Sequence, residues 1–402
     1  MSHFHTLDEF DFSHKTVLVR VDLNLPTQDG KVIDTTRAER LLPTLKELKM
    51  GKAKVVLLSH FGRPKGQYQE EDSLRHIVPT LSKVFGQLVL FASDCIGPQV
   101  KEKVAALQMG QFLLLENLRF HPEEEKNDSQ FAQALASLGD VYVNDAFSCS
   151  HRAHASVVAI TQFLPSYAGR GMQAELESLR RIMGNPNRPL MAIVGGSKVS
   201  TKLDLLQNLI HKVDKLVVGG GMANTFLSAL GHSIGQSLFE ADMLDTARQI
   251  LKGAESCGCM VILPKDVAVT EDIKPLSTHR TVSITDIQVQ DKIVDIGETT
   301  ISYIREQLAT CATVVWNGPV GIFEIFPFDR GSIAIAKAIA ELTHKGVLTS
   351  VAGGGDTLAA LAQAGCSHAL TYTSTAGGAF LEWLEGKALP GVEALESDRH
   401  VF

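Results

Sequence analysis

LMAIVGGSK (190–198), KLVVGGGMAN (215–224), TVVWNGP (313–319) and TSVAGGGDT (349–357) decide the fold of this 402-residue chain. Each is a short, continuous apolar run that stops at glycine, with lysine, asparagine or aspartate at or just beyond the stop. Short runs that are apolar at every position are what a parallel sheet covered on both faces requires. Amphipathic stretches separate them: LVVGG leads to MANTFLSALG (222–231), then DMLDTARQILKGAESCG (242–258), then MVILP (260–264). That alternation is the α/β rhythm.

Working outward, the first half repeats the rhythm with different endings. VLVRVDLNLP (17–26), VVLLSHFGRP (55–64), FLLLENLRF (112–120) and VYVNDAFSCSHRAH (141–154) stop at arginine, histidine and asparagine. Open parallel sheets bind ligands beyond the carboxyl ends of their strands, so both sets of stops mark ligand contacts. The chain exceeds the length at which one core stops growing. The expectation is therefore an α/β protein of two Rossmann-like, doubly wound parallel-sheet domains. YAGRGMQAELESLRRIMGNPNRP (167–189) reads as a linker helix with a flexible start at Gly169 and Gly171, because glycine adopts backbone angles that other residues resist. This puts residues 1–170 in the first domain and 171–384 in the linker helix and second domain. LTYTSTAGGAFLEWLEGKALPGVEAL (370–395) adds a strand, a turn and a helix, and a tail from about 385 to 402 is expected to return to the first domain, giving two crossings and a hinge.

Composition excludes several classes. With 45% hydrophobic and 21% charged residues the chain is globular. Its net charge of −7 lacks the basic excess that nonspecific nucleic-acid binding needs. Residues 1–170 carry 19 Lys/Arg against 20 Asp/Glu, so a cationic site there is local. No apolar run approaches the ~20 residues needed to cross a bilayer, and MSHFHTLDEF has no secretory plan. A cytoplasmic protein without membrane contact is expected. Its six cysteines are scattered, and the lone Cys257-Gly-Cys259 reads as structural, in keeping with reduced thiols.

In the second half, glycines let a phosphate approach the backbone, and a helix beginning near Ser200 would aim free N–H groups at an anion. Lys198 and Lys202, four apart, share one side of that helix start. Three glycine clusters at strand ends are hard to explain by packing alone. Asp356 has two readings, an N-terminal helix cap or an oxygen ligand for Mg²⁺ beside phosphate-binding glycines. Glu324 is either a surface charge or an acceptor for ribose hydroxyls. No G-x-x-x-x-G-K-[ST] occurs, and VGGGMANTF lacks the third glycine of a dinucleotide fingerprint.

The first half offers Asp22, Asn24, Arg37, His60, Arg63, Arg119, His151, Arg152 and His154. Guanidinium forks match phosphate and carboxylate oxygens bidentately, so several at strand ends suggest a small multivalent anion. His60 reads as a general base or a donor to that anion, and Arg20, beside Asp22, as a structural ion pair.

On these residues the chain resembles the phosphoglycerate kinase family over essentially its whole length. RVDLNLP with Arg37, SHFGRP, ENLRF, AFSCSHRAHAS, GGSKVSTK, VVGGGMANTF, WNGPVGIFE, GGGDT and STAGGAFLEWLEGK follow its signatures in order. The resemblance implies that Asp22, Asn24, Arg37, His60, Arg63, Arg119 and Arg152 bind 3-phosphoglycerate or 1,3-bisphosphoglycerate. It implies that Lys198, Lys202, Gly219, Gly220, Gly221, Asn317, Glu324, Gly354, Gly355, Asp356 and Thr357 bind ADP or ATP, with Asp356 on magnesium. It also implies a monomeric, cytosolic, glycolytic enzyme whose lobes close. The expected chemistry needs no general base: Arg37, Lys198, Lys202 and the helix start after Gly377 and Gly378 stabilise an in-line phosphoryl transfer. One departure is that the last glycine turn, often GGGA in that family, begins here with Ala376.

Overall fold

A computed structural model describes residues 4–180, 184, 186–374 and 376–396. The chain divides into two compact units, Met1–Glu177 with Ala388–Phe402, and Ser178–Lys387.

The first unit is built on a six-stranded sheet in the spatial order Val89–Phe91, Phe112–Leu114, Lys54–Leu58, Thr16–Arg20, Val141–Asn144, Ser166–Ala168. Every pairing is parallel. Side chains alternate across a strand, and here both faces are covered. Val17 and Val19 pack into one core with Val55, Leu57, Leu114 and Val143, whereas Leu18 joins Val56, Leu58, Leu113 and Tyr142 in another. Double burial is why these strands read as continuous apolar runs.

The second unit carries its own six-stranded parallel sheet, ordered Met260–Ile262, Lys215–Val218, Leu190–Val194, Thr313–Asn317, Thr349–Gly353, Tyr372–Ser374. In chain order this is 3-2-1-4-5-6, the Rossmann arrangement, with its switch point between Leu190–Val194 and Thr313–Asn317. Trp316 is fully buried there and donates Nε1–H to the Gly318 carbonyl at 2.7 Å, which pins the turn after the strand. A three-stranded antiparallel sheet of Arg280–Ser283, Asp266–Thr270 and Lys292–Ile296 stands beside this frame, and the sequence reading did not anticipate it.

Two local expectations change. The helix after GGSKVS begins at Leu203, preceded by a 3-10 turn over Ser200–Lys202. The Ser200 N–H donates to Glu240 at 3.0 Å and its hydroxyl bonds the other carboxylate oxygen, so a carboxylate of this chain already meets that turn. Gly169 and Gly171 precede and enter the helix Arg170–Leu179, yet neither uses a positive φ. A Cβ at either would collide with Asp145, 2.5 Å and 2.9 Å away, while the Asp145 carboxylate accepts from Met172 N–H at 2.9 Å. Their glycine is demanded by close packing, not by backbone freedom. Positions 181–183 and 185 of the proposed linker, Thr375, and 397–402 of the tail lie outside the described residues. Within the described tail, Gly391 N–H bonds the Ser150 carbonyl at 2.9 Å, and Phe4 bridges to Glu396, both inside the first unit.

Candidate active site

At the carboxyl edge of the first sheet, Asp22 is the node. Its carboxylate lies 3.1 Å from the Arg37 guanidinium, accepts from the Ser148 hydroxyl at 2.6 Å and from Asn24 N–H at 3.1 Å. Arg37 also donates to the Asn24 carbonyl at 3.0 Å. The Asn24 side-chain oxygen accepts from Gly62 N–H at 3.0 Å, and the Gly62 carbonyl accepts from Arg119 at 2.8 Å. Asp22, Asn24, Arg37 and Arg119 thus form one connected edge. Arg119 is buried, lies 3.3 Å from Glu125, and leaves Nε without a hydrogen-bond partner. Arg63 is exposed, and Arg152, also exposed, donates to His151 at 3.1 Å; neither is hydrogen-bonded into the Asp22 network.

His60 is buried, and burial together with the fields of Arg20, Arg119, His154 and Arg37 holds its pKa well below the usual histidine value. A neutral imidazole of low basicity is a poor general base. His154 is pushed down to about 3 by burial, with Arg20, Arg119 and Arg152 adding to it. Burial first, and the neighbouring guanidinium groups second, keep both imidazoles neutral at this edge. The ion pair expected between Arg20 and Asp22 is not formed. Arg20, 1% exposed, donates Nε–H to Ser156 at 2.9 Å and also bonds the Val21 carbonyl, while Nη2 lies 3.2 Å from His60. It braces the strand end, and Asp22 is left to Arg37.

In the second unit a cavity of about 790 Å³ opens beyond the same sheet edge, lined by Gly196, Gly220, Gly221, Asn224, Leu238, Pro319, Val320, Glu324 and Asp356, among others. Its volume falls within the range of small-molecule sites. The antiparallel sheet supplies Val267, Lys292 and Val294 to its wall. Asn224, Leu238 and Val294 were missed by the sequence reading, and only the glycine signal before Asn224 pointed near them.

The glycine clusters prove to be partly architectural. Gly220 holds φ +66°, and a Cβ there would sit 2.7 Å from the Gly196 carbonyl oxygen, so the loops after two strands cross backbone to backbone. The expectation that packing could not explain the clusters is corrected at this crossing. Gly355 differs: nothing lies within 4 Å of a Cβ built on it, and it opens the helix Gly355–Gln363, whose N-terminus has no side-chain cap. Gly377 likewise faces open space before the uncapped helix Gly378–Leu384. Uncapped first turns keep N–H groups available to an anion.

Lys202 lies beneath this edge, its ammonium bonded to the Gly195 carbonyl at 2.7 Å and the Asn317 side-chain oxygen at 2.6 Å. Burial lowers its pKa to about 8, against the favourable field of Asp356. Both hydrogen-bond partners are neutral, so its positive charge remains largely uncompensated. Asn317 spends its amide internally, accepting from Lys202 and donating to the Gly353 carbonyl at 2.7 Å. Thr357 does the same, linking Gly318 N–H and the Gly353 carbonyl. These two side chains hold the strand ends together and do not face the cavity. Lys198, Glu324 and Asp356 are exposed, and Asp356 makes no capping bond.

A nucleotide-sized cavity at the switch point of one parallel sheet, with a guanidinium-lined edge on another, describes a small-molecule kinase. A family model for phosphoglycerate kinase matches residues 7–387. The phosphoglycerate kinase of Rhodospirillum centenum is 56% identical over 392 residues, covering 98% of this chain and 99% of that protein. The Xanthobacter flavus protein of the same name is 53% identical over 396 residues, covering 98% and 100%. Among solved structures, phosphoglycerate kinase from Coxiella burnetii superposes with TM-score 0.92 at 40% identity, covering 99% of this chain and all of that one. The Pyrococcus horikoshii enzyme gives 0.82 at 32%, covering 97% and 98%. The chain belongs to the phosphoglycerate kinase family. It is a glycolytic phosphotransferase that binds ATP. No helix among the described residues is long and apolar enough to cross a membrane.

Proposed function

We propose that Arg37 and Lys202 carry the charge of the phosphoryl group as it passes from 1,3-bisphosphoglycerate to ADP. The acyl phosphate is already activated and the attacking oxygen already anionic, so positioning and charge stabilisation remain for the protein. The low basicity of His60 supports a mechanism without a general base. Asp22, Asn24, His60, Arg63, Arg119 and Arg152 hold the phosphoglycerate, with Asp22 orienting Arg37 through their ion pair. Lys198, the glycines at 219–221, Glu324 and the first turn of Gly355–Gln363 hold the nucleotide, with Asn317 and Thr357 acting through the strand ends they tie together. Lys198, Gly377 and Gly378 share the charge of the moving group.

Asp356 fits the magnesium that accompanies the nucleotide. It is an exposed carboxylate on the cavity lip, beside an uncapped helix start, and its side chain has no capping duty. Bound there with phosphate oxygens and water, the ion would neutralise phosphate charge. Transfer requires the two ligands in contact, and the reading therefore includes domain closure, which also keeps water from the acyl phosphate. It takes the enzyme to be a cytosolic monomer, a state that sedimentation equilibrium can check.

The observation that carries this reading is the half-buried Lys202 ammonium, hydrogen-bonded only to neutral groups, at the switch point beside a cavity in the size range of small-molecule sites. A coupled assay with 3-phosphoglycerate, ATP and Mg²⁺, each omitted in turn, tests it. Activity that survives any omission would sink it.

A further inference from the structure

The first unit also brings together Asp94, Cys95 and His121, none of them part of the hydrogen-bonded Asp22 network, with a ligand atom from each lying within 4.8 Å of the others. Asp94 and Cys95 follow the strand Val89–Phe91, and His121 directly follows the 3-10 turn Leu118–Phe120, so two separate strand-end loops converge. The His121 Nε2 lies 2.7 Å from an Asp94 carboxylate oxygen. That oxygen also accepts from Cys95 N–H at 2.6 Å, which fixes the carboxylate against the backbone. The Cys95 thiol is fully buried and faces the same carboxylate.

We propose that Asp94, Cys95 and His121 form a binding site for a thiophilic divalent cation, Zn²⁺ in the first instance. One sulfur, one imidazole nitrogen and one carboxylate oxygen make the mixed donor set that zinc takes as three protein ligands, with water completing a tetrahedron. Ligand bonds of about 2.0–2.3 Å require donor separations of roughly 3.3–3.8 Å, so the 2.7 Å imidazole–carboxylate pair must open as the ion enters. On binding, the thiol proton is released to solvent and the thiolate sulfur joins the ion; the imidazole coordinates through its neutral Nε2. Sulfur excludes Mg²⁺, which prefers oxygen, so this site is chemically separate from the nucleotide's metal.

Co²⁺ is the probe, because a thiolate ligand gives it a near-ultraviolet charge-transfer band. The full-length protein should bind one Co²⁺ with that band, Zn²⁺ should abolish it, and excess Mg²⁺ should leave it unchanged. Cys95→Ser should remove the band, while Asp94→Asn and His121→Ala should weaken Co²⁺ binding at least about tenfold. Cys257→Ser is the control, since that exposed thiol lies 3.0 Å from His211 and is the competing soft site. No band in the unmodified protein, a band that persists in Cys95→Ser, or one lost in Cys257→Ser overturns the proposal. Should Cys95→Ser fail to fold by circular dichroism, unchanged Co²⁺ affinity in both Asp94→Asn and His121→Ala overturns it equally.

Discussion

The carboxyl edge of the first unit's sheet is furnished with side chains, and that of the second with backbone. In the first, Asp22, Arg37, Asn24 and Arg119 are chained through Gly62, and each position depends on a neighbouring polar group. In the second, the helices starting at Gly355 and Gly378 have no side-chain caps, the loops crossing at Gly196 and Gly220 close backbone hydrogen bonds of their own, and one half-buried ammonium lies beneath. The strand orders differ as well, since only the second sheet has the Rossmann arrangement. Guanidinium forks suit a small acid whose carboxylate and phosphate have fixed geometry. Backbone N–H groups suit a longer phosphate chain that is recognised as an anion. The same edge of the same kind of sheet therefore supports two chemistries, according to what the sequence places after each strand.

The largest expected effect comes from removing a side chain of the first edge. Arg37→Ala should lower kcat by about 10²–10³, the scale of losing one charge-stabilising donor, with ADP affinity by calorimetry unchanged. A parallel loss of ADP affinity would erase the division of labour. Backbone substitutions come next. Gly220→Ala combines a positive φ with a 2.7 Å contact to a carbonyl, and should cost about 2–3 kcal/mol in urea unfolding. Gly355→Ala meets open space and should change stability by less than about 0.5 kcal/mol while weakening ATP binding. Equal destabilisation by the two would make every glycine here architectural.

The alkaline limb of kcat/KM for nucleotide should fall near pH 8. The charged form of Lys202 is the anion-binding one, and with its pKa lowered to about 8 the free enzyme loses that proton as pH rises through this value. A profile flat to pH 9.5 would place the cation elsewhere. Smallest is Asp356→Ala, expected to weaken magnesium-dependent ATP affinity about tenfold, with 3-phosphoglycerate affinity and melting temperature unaltered. An unchanged magnesium dependence would return Asp356 to a surface role.

Strand positions and the α/β class were readable because double burial writes itself as local apolar runs. Long-range partners were not. Arg20 is held by Ser156, 136 residues away, and nothing near Arg20 in the chain announces a hydroxyl in place of a carboxylate. Ser200 meets Glu240 across 40 residues, so the turn expected to await an anion already has one. Asn317 and Thr357 look like ligand contacts in sequence because they adjoin glycines at strand ends, yet their polar groups close on each other's strands. The antiparallel sheet escaped notice because its edge strand Arg280–Ser283 is largely exposed and carries no continuous apolar run, although its central strand Asp266–Thr270 is buried throughout.

The return of Ala388 and its followers to the first unit orders events during synthesis. Leu395 is fully buried and Gly391 bonds Ser150, so the part of the chain that leaves the ribosome first keeps an unfilled seat until the whole second unit has been translated. A nascent chain stalled before residue 388 would present a folded second unit attached to a first unit still missing its closing segment.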